Sequence, residues 1–283
     1  DTRYQIAQMF LAQEKWKEGA AALEQWFQTA QNPNGAAYYL LAVAYYQQND
    51  FKRAIVPAQK AVDLTDKPQE SWVQLVLALY LQQDQYAQAV PLLKRLINMA
   101  PDKKTYWQQL SSVYGQMEDY PKSLAVAQLA YNGGILTDDS DVRRLADLQL
   151  FNDAPYRCGT MLEEAIQKKL VKVDFKLYEK QANCWVAARD FAKATGPLQR
   201  AAEMSPNGDL FVRLGEVQIQ RSEWASAATA LQDTGNAQLL LGIAQFNQKN
   251  YGAAKDSFTR ARNFEKHRKM ADGYLQLIKV QTG

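Results

Sequence analysis

Among its 283 residues the chain has one histidine and two cysteines. A nucleophile–histidine relay needs a histidine with an orienting partner, and a structural zinc site needs several Cys or His ligands. Most chemistry of both kinds is therefore excluded by count. An excess of one charge is missing too: 33 Lys and Arg face 30 Asp and Glu, a net charge of +3. A dedicated nucleic-acid binder carries a larger, clustered positive excess, so no nucleic-acid partner is expected. No run reaches the roughly 18 apolar residues that a membrane helix needs. The most apolar stretches, 38–46 and 73–81, are short and interrupted or flanked by glutamine. The chain starts at Asp1 rather than methionine, which we read as a trimmed N-terminus that leaves the compartment open.

What is present points to a folded, helical chain. Hydrophobic residues make up 47% of it, enough for a large core, and 31 of the residues are glutamine. No strand-like alternation occurs, and the helical period dominates. An internal repeat organises the whole sequence. Trp16, Phe51, Tyr86, Tyr120, Phe191, Trp224 and Tyr251 each precede a small residue by three positions, and Pro155 takes the fifth place; the gaps are 35, 35, 34, 35, 36, 33 and 27. Three residues after these anchors stand Gly19, Ala54, Ala89, Ser123, Cys158, Ala194, Ala227 and Ala254. Nine before them stand Ala7, Ala42, Leu77, Ser111, Ala146, Ala182, Gly215 and Gly242, and six before come the aromatics Phe10, Tyr45, Tyr80, Tyr114 and Trp185. Small residues let two antiparallel helices cross closely, and the large columns fill the space around the crossing. Asp50, Asp119 and Asp190 sit just before their anchors, where a carboxylate caps the second helix. Pro33, Pro68, Pro101 and Pro206 separate units.

At these residues the chain resembles the tetratricopeptide repeat family, a helix-turn-helix unit of about 34 residues. Trp107, Leu110, Tyr114, Tyr120 and Ala130 follow its pattern, and Phe211, Leu214, Gly215, Trp224 and Ala227 open another unit. The resemblance implies an all-α, right-handed superhelical solenoid of about eight repeats. Residues 1–134 would hold repeats 1–4, residues 135–262 repeats 5–8, and 263–283 a capping helix with a polar outer face. Three departures stand out. Pro57, Pro91 and Pro197 share one phase, so the second helices either start near them or bend there. The segment 132–141 reads as a longer link and a hinge before the degenerate fifth unit. The short gap before Tyr251 means that the second helix of unit seven ends near Gln232, or that a loop near Asp233 is absent from the chain.

Repeats of this family hold extended peptides or partner helices along a concave face built from first helices. Mapped here, that face is Tyr39, Val43, Tyr46 and Gln47, then Gln74, Ala78, Leu81 and Gln82, then Gln108, Gln109, Ser112 and Gln116. Amides pair with a peptide backbone without burying a charge, and tyrosine adds apolar area with a polar tip. Beside this reading stands a plainer one, that glutamine is a good surface helix former. The matching positions of the second half form a charged stretch of mixed sign: Arg143, Arg144 and Asp147, then Lys176, Glu179, Lys180 and Asn183, then Arg213 and Glu216. The lysine and asparagine clamp of the family's chaperone-tail binders is absent.

No catalytic constellation and no cofactor site is found. Glu163 and Glu164 point about 100° apart on a helix, and Gly133-Gly134 lacks a P-loop lysine. Basic stretches at 168–180 and 260–269 are interrupted by acids and read as solvated faces. The expectation is a non-enzymatic scaffold for a protein or peptide; the other readings are a regulatory region cut from a larger enzyme, or an RNA-binding repeat. Residues 152–157 and 235–246 also resemble the repeat proteins of TonB-type systems of Gram-negative bacteria. That resemblance implies a periplasmic location, against a cytoplasmic one, and a partner among TonB, ExbB, ExbD or an outer-membrane transporter. Cys158 and Cys184 stand on sequential helices: two small buried hydrophobes, or a disulfide in an oxidising compartment.

Overall fold

The computed structural model of the chain describes residues 2–205, 209–230 and 235–282. Seventeen α-helices, and no strand, occur among the described residues. They pair as hairpins, one per anchor: α1 (Thr2–Ala12) with α2 (Trp16–Phe27), α3 (Gly35–Gln47) with α4 (Phe51–Asp63), α5 (Glu70–Leu81) with α6 (Tyr86–Met99), and α7 (Lys104–Gln116) with α8 (Tyr120–Asn132). Then follow α9 (Asp139–Phe151) with α10 (Pro155–Gln167), α11 (Phe175–Ala187) with α12 (Phe191–Met204), α13 (Asp209–Gln220) with α14 (Trp224–Ala230), and α15 (Gly235–Asn247) with α16 (Tyr251–Ala261). The last helix is α17 (Glu265–Thr282). Two compact units divide the chain, residues 1–136 and 137–283. Each is a stack of these hairpins, in which every helix packs on the next. The division falls in the long link after α8, where the Leu136 N–H turns back to the Ala130 carbonyl at 3.3 Å.

One turn geometry makes all eight hairpins. The residue two before each anchor has a left-handed backbone: Glu14, Asn49, Asp84, Glu118, Asp153, Arg189, Ser222 and Lys249, with φ between 53° and 62°. The N–H one residue later donates to the carbonyl six before the anchor, at 2.8–2.9 Å from Lys15 to Asn250. This is a Schellman stop for the first helix, and it points the chain back along the same line. Asp50, Asp119 and Asp190 then accept from the N–H three residues on, as does Asn250, and so begin the second helices.

The small-residue columns meet at the crossings. Ala7, Ala42, Ala54, Ala89, Ala146, Ala182, Ala194, Ala227 and Ala254 have no exposure. Ser111 and Ser123 are as buried; each donates to the other's carbonyl, at 3.0 and 2.8 Å, so the polar pair is satisfied. Larger side chains fill the space around: Leu23, Leu93, Leu162, Leu198 and Phe258 are fully buried, each contributing about 1.5–3 kcal/mol of transfer free energy. In repeats 5, 7 and 8 a glutamine (Gln149, Gln218, Gln245) replaces the aromatic six before the anchor, and Ser257 donates to Gln245 at 2.8 Å.

Two expectations need correction. Pro57, Pro91 and Pro197 lie inside α4, α6 and α12, so the second helices do not start at them. Each removes one helical hydrogen bond, a loss that the packing of a long buried hairpin tolerates. The cap α17 does cover α16, through Ala271, Ile278 and a Tyr274 ring stacked on Phe258 at 4.7 Å. Its outer face is not purely polar, since Met270, Leu277 and Val280 are exposed on it. Helix α14 has 7 described residues; Gln232 and Asp233, where its end was expected, lie outside the described residues, as does Pro206.

Candidate first-helix binding face

In the first unit the expected face is carried by α3, α5 and α7. Spacings of four, seven and eight residues put Tyr39, Val43, Tyr46 and Gln47 on one side of α3. Tyr39 is half-buried and stacked on Trp72 of the next repeat at 5.8 Å, while Tyr46 rests against Phe51 at 5.5 Å. Val43 and Leu81 are half-buried, and Gln108 is partly covered. Gln47, Gln82, Gln109 and Gln116 are exposed, with no side-chain hydrogen bond among the described residues. Gln74 departs from the expectation. Its amide donates to Glu70 at 3.2 Å and to the Tyr106 hydroxyl, so it braces α5 against α7. Glu70 also accepts from Lys103, at 2.7 Å, and from Tyr106. Those bonds, the Lys103 one first, hold its carboxyl below the usual range.

The second unit treats the same positions differently. Arg143 of α9 donates to Asp139 at 2.9 Å, to Asp174 at 3.2 Å and to the Lys172 carbonyl at 2.8 Å. Burial works against its charge, yet the Asp139 and Asp174 hydrogen bonds outweigh that and raise its pKa. Lys180 of α11 pairs with Asp147 of α9, and Arg213 of α13 pairs with Glu179 of α11 at 2.7 Å and also reaches Asn183. Arg143, Lys180 and Arg213 are therefore not free charges awaiting a partner: each joins one first helix to the neighbouring repeat. Part-exposed pairs of this kind contribute under about 1 kcal/mol each, so they set register more than stability. Arg144 stands exposed. A cleft of about 580 Å³ opens beside Arg213, floored by Phe191, Leu198 and Val217 and rimmed by Arg189 and Glu216.

The bracing partners Glu70, Lys103 and Tyr106 were not foreseen from sequence, though a signal existed: they sit 33 and 36 residues apart, one repeat's length. In the second unit Cys158 of α10 is bonded to Cys184 of α11, with Cα atoms 5.6 Å apart and both residues fully buried. Among the described residues no group of three or more His, Cys, Asp or Glu is placed to hold a metal ion, and no helix is long and apolar enough to cross a membrane.

Stacked helical hairpins with identical turns and small-residue crossings define a helical-repeat protein of the solenoid class. Residues 4–70 match the model of the tetratricopeptide repeat family, and the later hairpins repeat the same architecture. No protein of curated function matches the sequence. Among solved structures, the Naa15/Naa10 complex bound to HypK-THB is similar at TM-score 0.65 and 15% identity, over 93% of this chain and 42% of that one. YrrB, described as a TPR protein with an unusual peptide-binding site, is similar at TM-score 0.51 and 13% identity, over 65% of this chain and 97% of that one. The C-terminal part of a TPR repeat-containing protein from Cytophaga hutchinsonii aligns over 95% and 98%, at TM-score 0.49 and 11% identity. At such identities the first two likenesses speak for the fold alone. Proteins of this fold are generally protein–protein interaction scaffolds.

Proposed function

We propose that the chain is a non-enzymatic scaffold that holds an extended peptide or a partner helix along the first helices of residues 1–136. The observation that carries this reading is the exposed, uncharged band on α3, α5 and α7. There Gln47, Gln82, Gln109 and Gln116 have unspent donors and acceptors beside the half-buried Tyr39, Tyr46 and Leu81. A partner backbone can pair with such amides, and the tyrosines supply apolar area at little entropic cost. Among the matched charges of residues 137–283, Arg143, Lys180 and Arg213 are occupied by ion pairs within the chain and belong to the scaffold's stiffness, while the exposed Arg144, Lys176 and Glu216 remain as contacts. The peptide-binding site in the printed description of YrrB is in keeping with this reading. The experiment is a pull-down with the intact chain against Tyr39→Ala/Tyr46→Ala. Loss of partner with unchanged helicity supports the band as the contact; retained partner sinks it.

The proposed compartment is the periplasm, supported by the buried Cys158–Cys184 bond, which persists where thiols are oxidised. A partner from the TonB, ExbB and ExbD machinery, or an outer-membrane transporter, rests on the sequence resemblance only. The same pull-down from an envelope fraction tests it.

A further inference from the structure

The second helices form a face of their own, and its repeats differ. Three positions recur there: the eighth residue after one anchor, the aromatic six before the next anchor, and the second residue after that anchor. Between repeats 1 and 2 they are Glu24, Tyr45 and Arg53, and they close on one another. Glu24 accepts from the Tyr45 hydroxyl and from Arg53 at 2.5 Å, and the guanidinium lies 4.4 Å over the tyrosine ring. Between repeats 2 and 3 the Tyr80 hydroxyl reaches Gln59 at 3.2 Å.

Between repeats 5 and 6 the equivalent residues are Glu163, Trp185 and Lys193, and here the clasp is open. The indole has no hydroxyl to offer Glu163. Lys193 donates to the Tyr156 hydroxyl at 3.1 Å, lies 4.5 and 4.7 Å over the Trp185 and Tyr156 rings, and keeps only a long contact of 3.9 Å with Asp190 on its own helix. Glu163 makes no hydrogen bond or ion pair among the described residues. A slot of about 430 Å³ results, walled by α10 and α12 and floored by α11. That volume falls within the range of small-molecule sites, roughly 300–1,000 Å³. One wall carries Glu163; the other carries Lys193 and, seven residues on, Arg200, which the Tyr178 hydroxyl contacts at 3.4 Å. Gly196 leaves open space where a side chain would stand, and Ile166 and Pro197 supply apolar surface.

We propose that this slot binds a small zwitterion of the amino-acid type: its carboxylate between Lys193 and Arg200, its ammonium on Glu163, its apolar side chain against Ile166 and Pro197. A simple anion would answer the cations and be repelled by Glu163; a simple cation would meet two like charges. A peptide terminus brings only one of the two charges. A molecule with both charges satisfies opposite walls together.

The test is isothermal titration of the full chain with three probes of one shape: L-leucine, 4-methylpentanoate and 3-methylbutan-1-amine. Leucine is expected to bind, and each truncated analogue to bind at least about tenfold more weakly, the loss typical of one charge-assisted contact. Glu163→Gln should abolish the preference for leucine over the acid, and Arg200→Gln its preference over the amine. The analogue comparison needs only the unaltered chain, so it stands even if a variant misfolds. No heat with leucine at millimolar concentration, equal binding of all three probes, or leucine affinity indifferent to both variants would each overturn the proposal.

Discussion

Gly159→Ala tests a close helix approach in the second unit. An alanine Cβ at 159 would lie 2.5, 2.6 and 2.7 Å from three atoms of the Trp185 indole. The neighbour cannot easily yield: Trp185 is 1% exposed, and the Cys158–Cys184 bond ties together the residues preceding both partners. Overpacking of this kind costs about 1–3 kcal/mol, and the locked ring places the value at the upper end. Alanine's better helix propensity returns about 1 kcal/mol, leaving a net loss of about 2 kcal/mol. Gly273→Ala in α17 is the control, because nothing lies within 4 Å of its added Cβ; there the propensity gain of about 0.5–1 kcal/mol is uncompensated. Amide exchange of the intact chain separates the two, since local opening energies are read helix by helix. Protection should fall in α10 and α11 for the first variant and rise in α17 for the second. With Cys158→Ser/Cys184→Ser in the background the helices can part, and the cost at 159 should shrink. Unchanged protection in α10 and α11 for Gly159→Ala would show that the two helices are not so close, and the argument from the disulfide would go with it.

Three further outcomes follow from the same geometry. Glu118 is held at φ 59°, so Glu118→Gly should relieve about 1 kcal/mol of backbone strain and raise the melting midpoint; a lower midpoint would count against a left-handed turn there. Burial, then the hydrogen bond to Glu24, pushes the Tyr45 phenol from 10.0 up to about 12. Its neutral form is the one the fold favours, so that stability is complete below pH 10 and drains away as pH rises from 10 towards 12. Tyr45→Phe should flatten this alkaline limb in a pH series of thermal melts, and an unaltered limb would place the loss elsewhere. Thiol titration of the denatured, unreduced chain should find no free cysteine. Reducing the 26-residue link should destabilise the second unit by about 3 kcal/mol; two reactive thiols before reduction would remove the disulfide.

What the sequence made legible is what repetition within a hairpin dictates. The anchors, the crossings at Ser111–Ser123 and the caps at Asp50, Asp119 and Asp190 each involve residues at most twelve apart, where backbone geometry leaves little choice. The left-handed turn was hidden because its eight residues include Glu, Arg, Ser and Lys, which carry no turn signature. The first-helix face was legible as positions and not as roles. Lys180 and Arg213 read as binding charges because the carboxylates that pair with them, Asp147 and Glu179, lie 33 and 34 residues away; Arg143 has Asp139 four residues before it and also Asp174, 31 residues after. In a solenoid the residue one repeat along is a neighbour as surely as the residue four along is in a helix. Opposite charges at that offset cancel before any partner arrives. The same offset pairs Glu70 with Lys103, 33 residues apart, and Gln74 leaves the candidate surface through its bond to Tyr106. The amides that survive, Gln47, Gln82, Gln109 and Gln116, make no side-chain hydrogen bond to a neighbouring repeat among the described residues, which is the basis for proposing the first unit, rather than the more highly charged second, as the place for a partner's backbone.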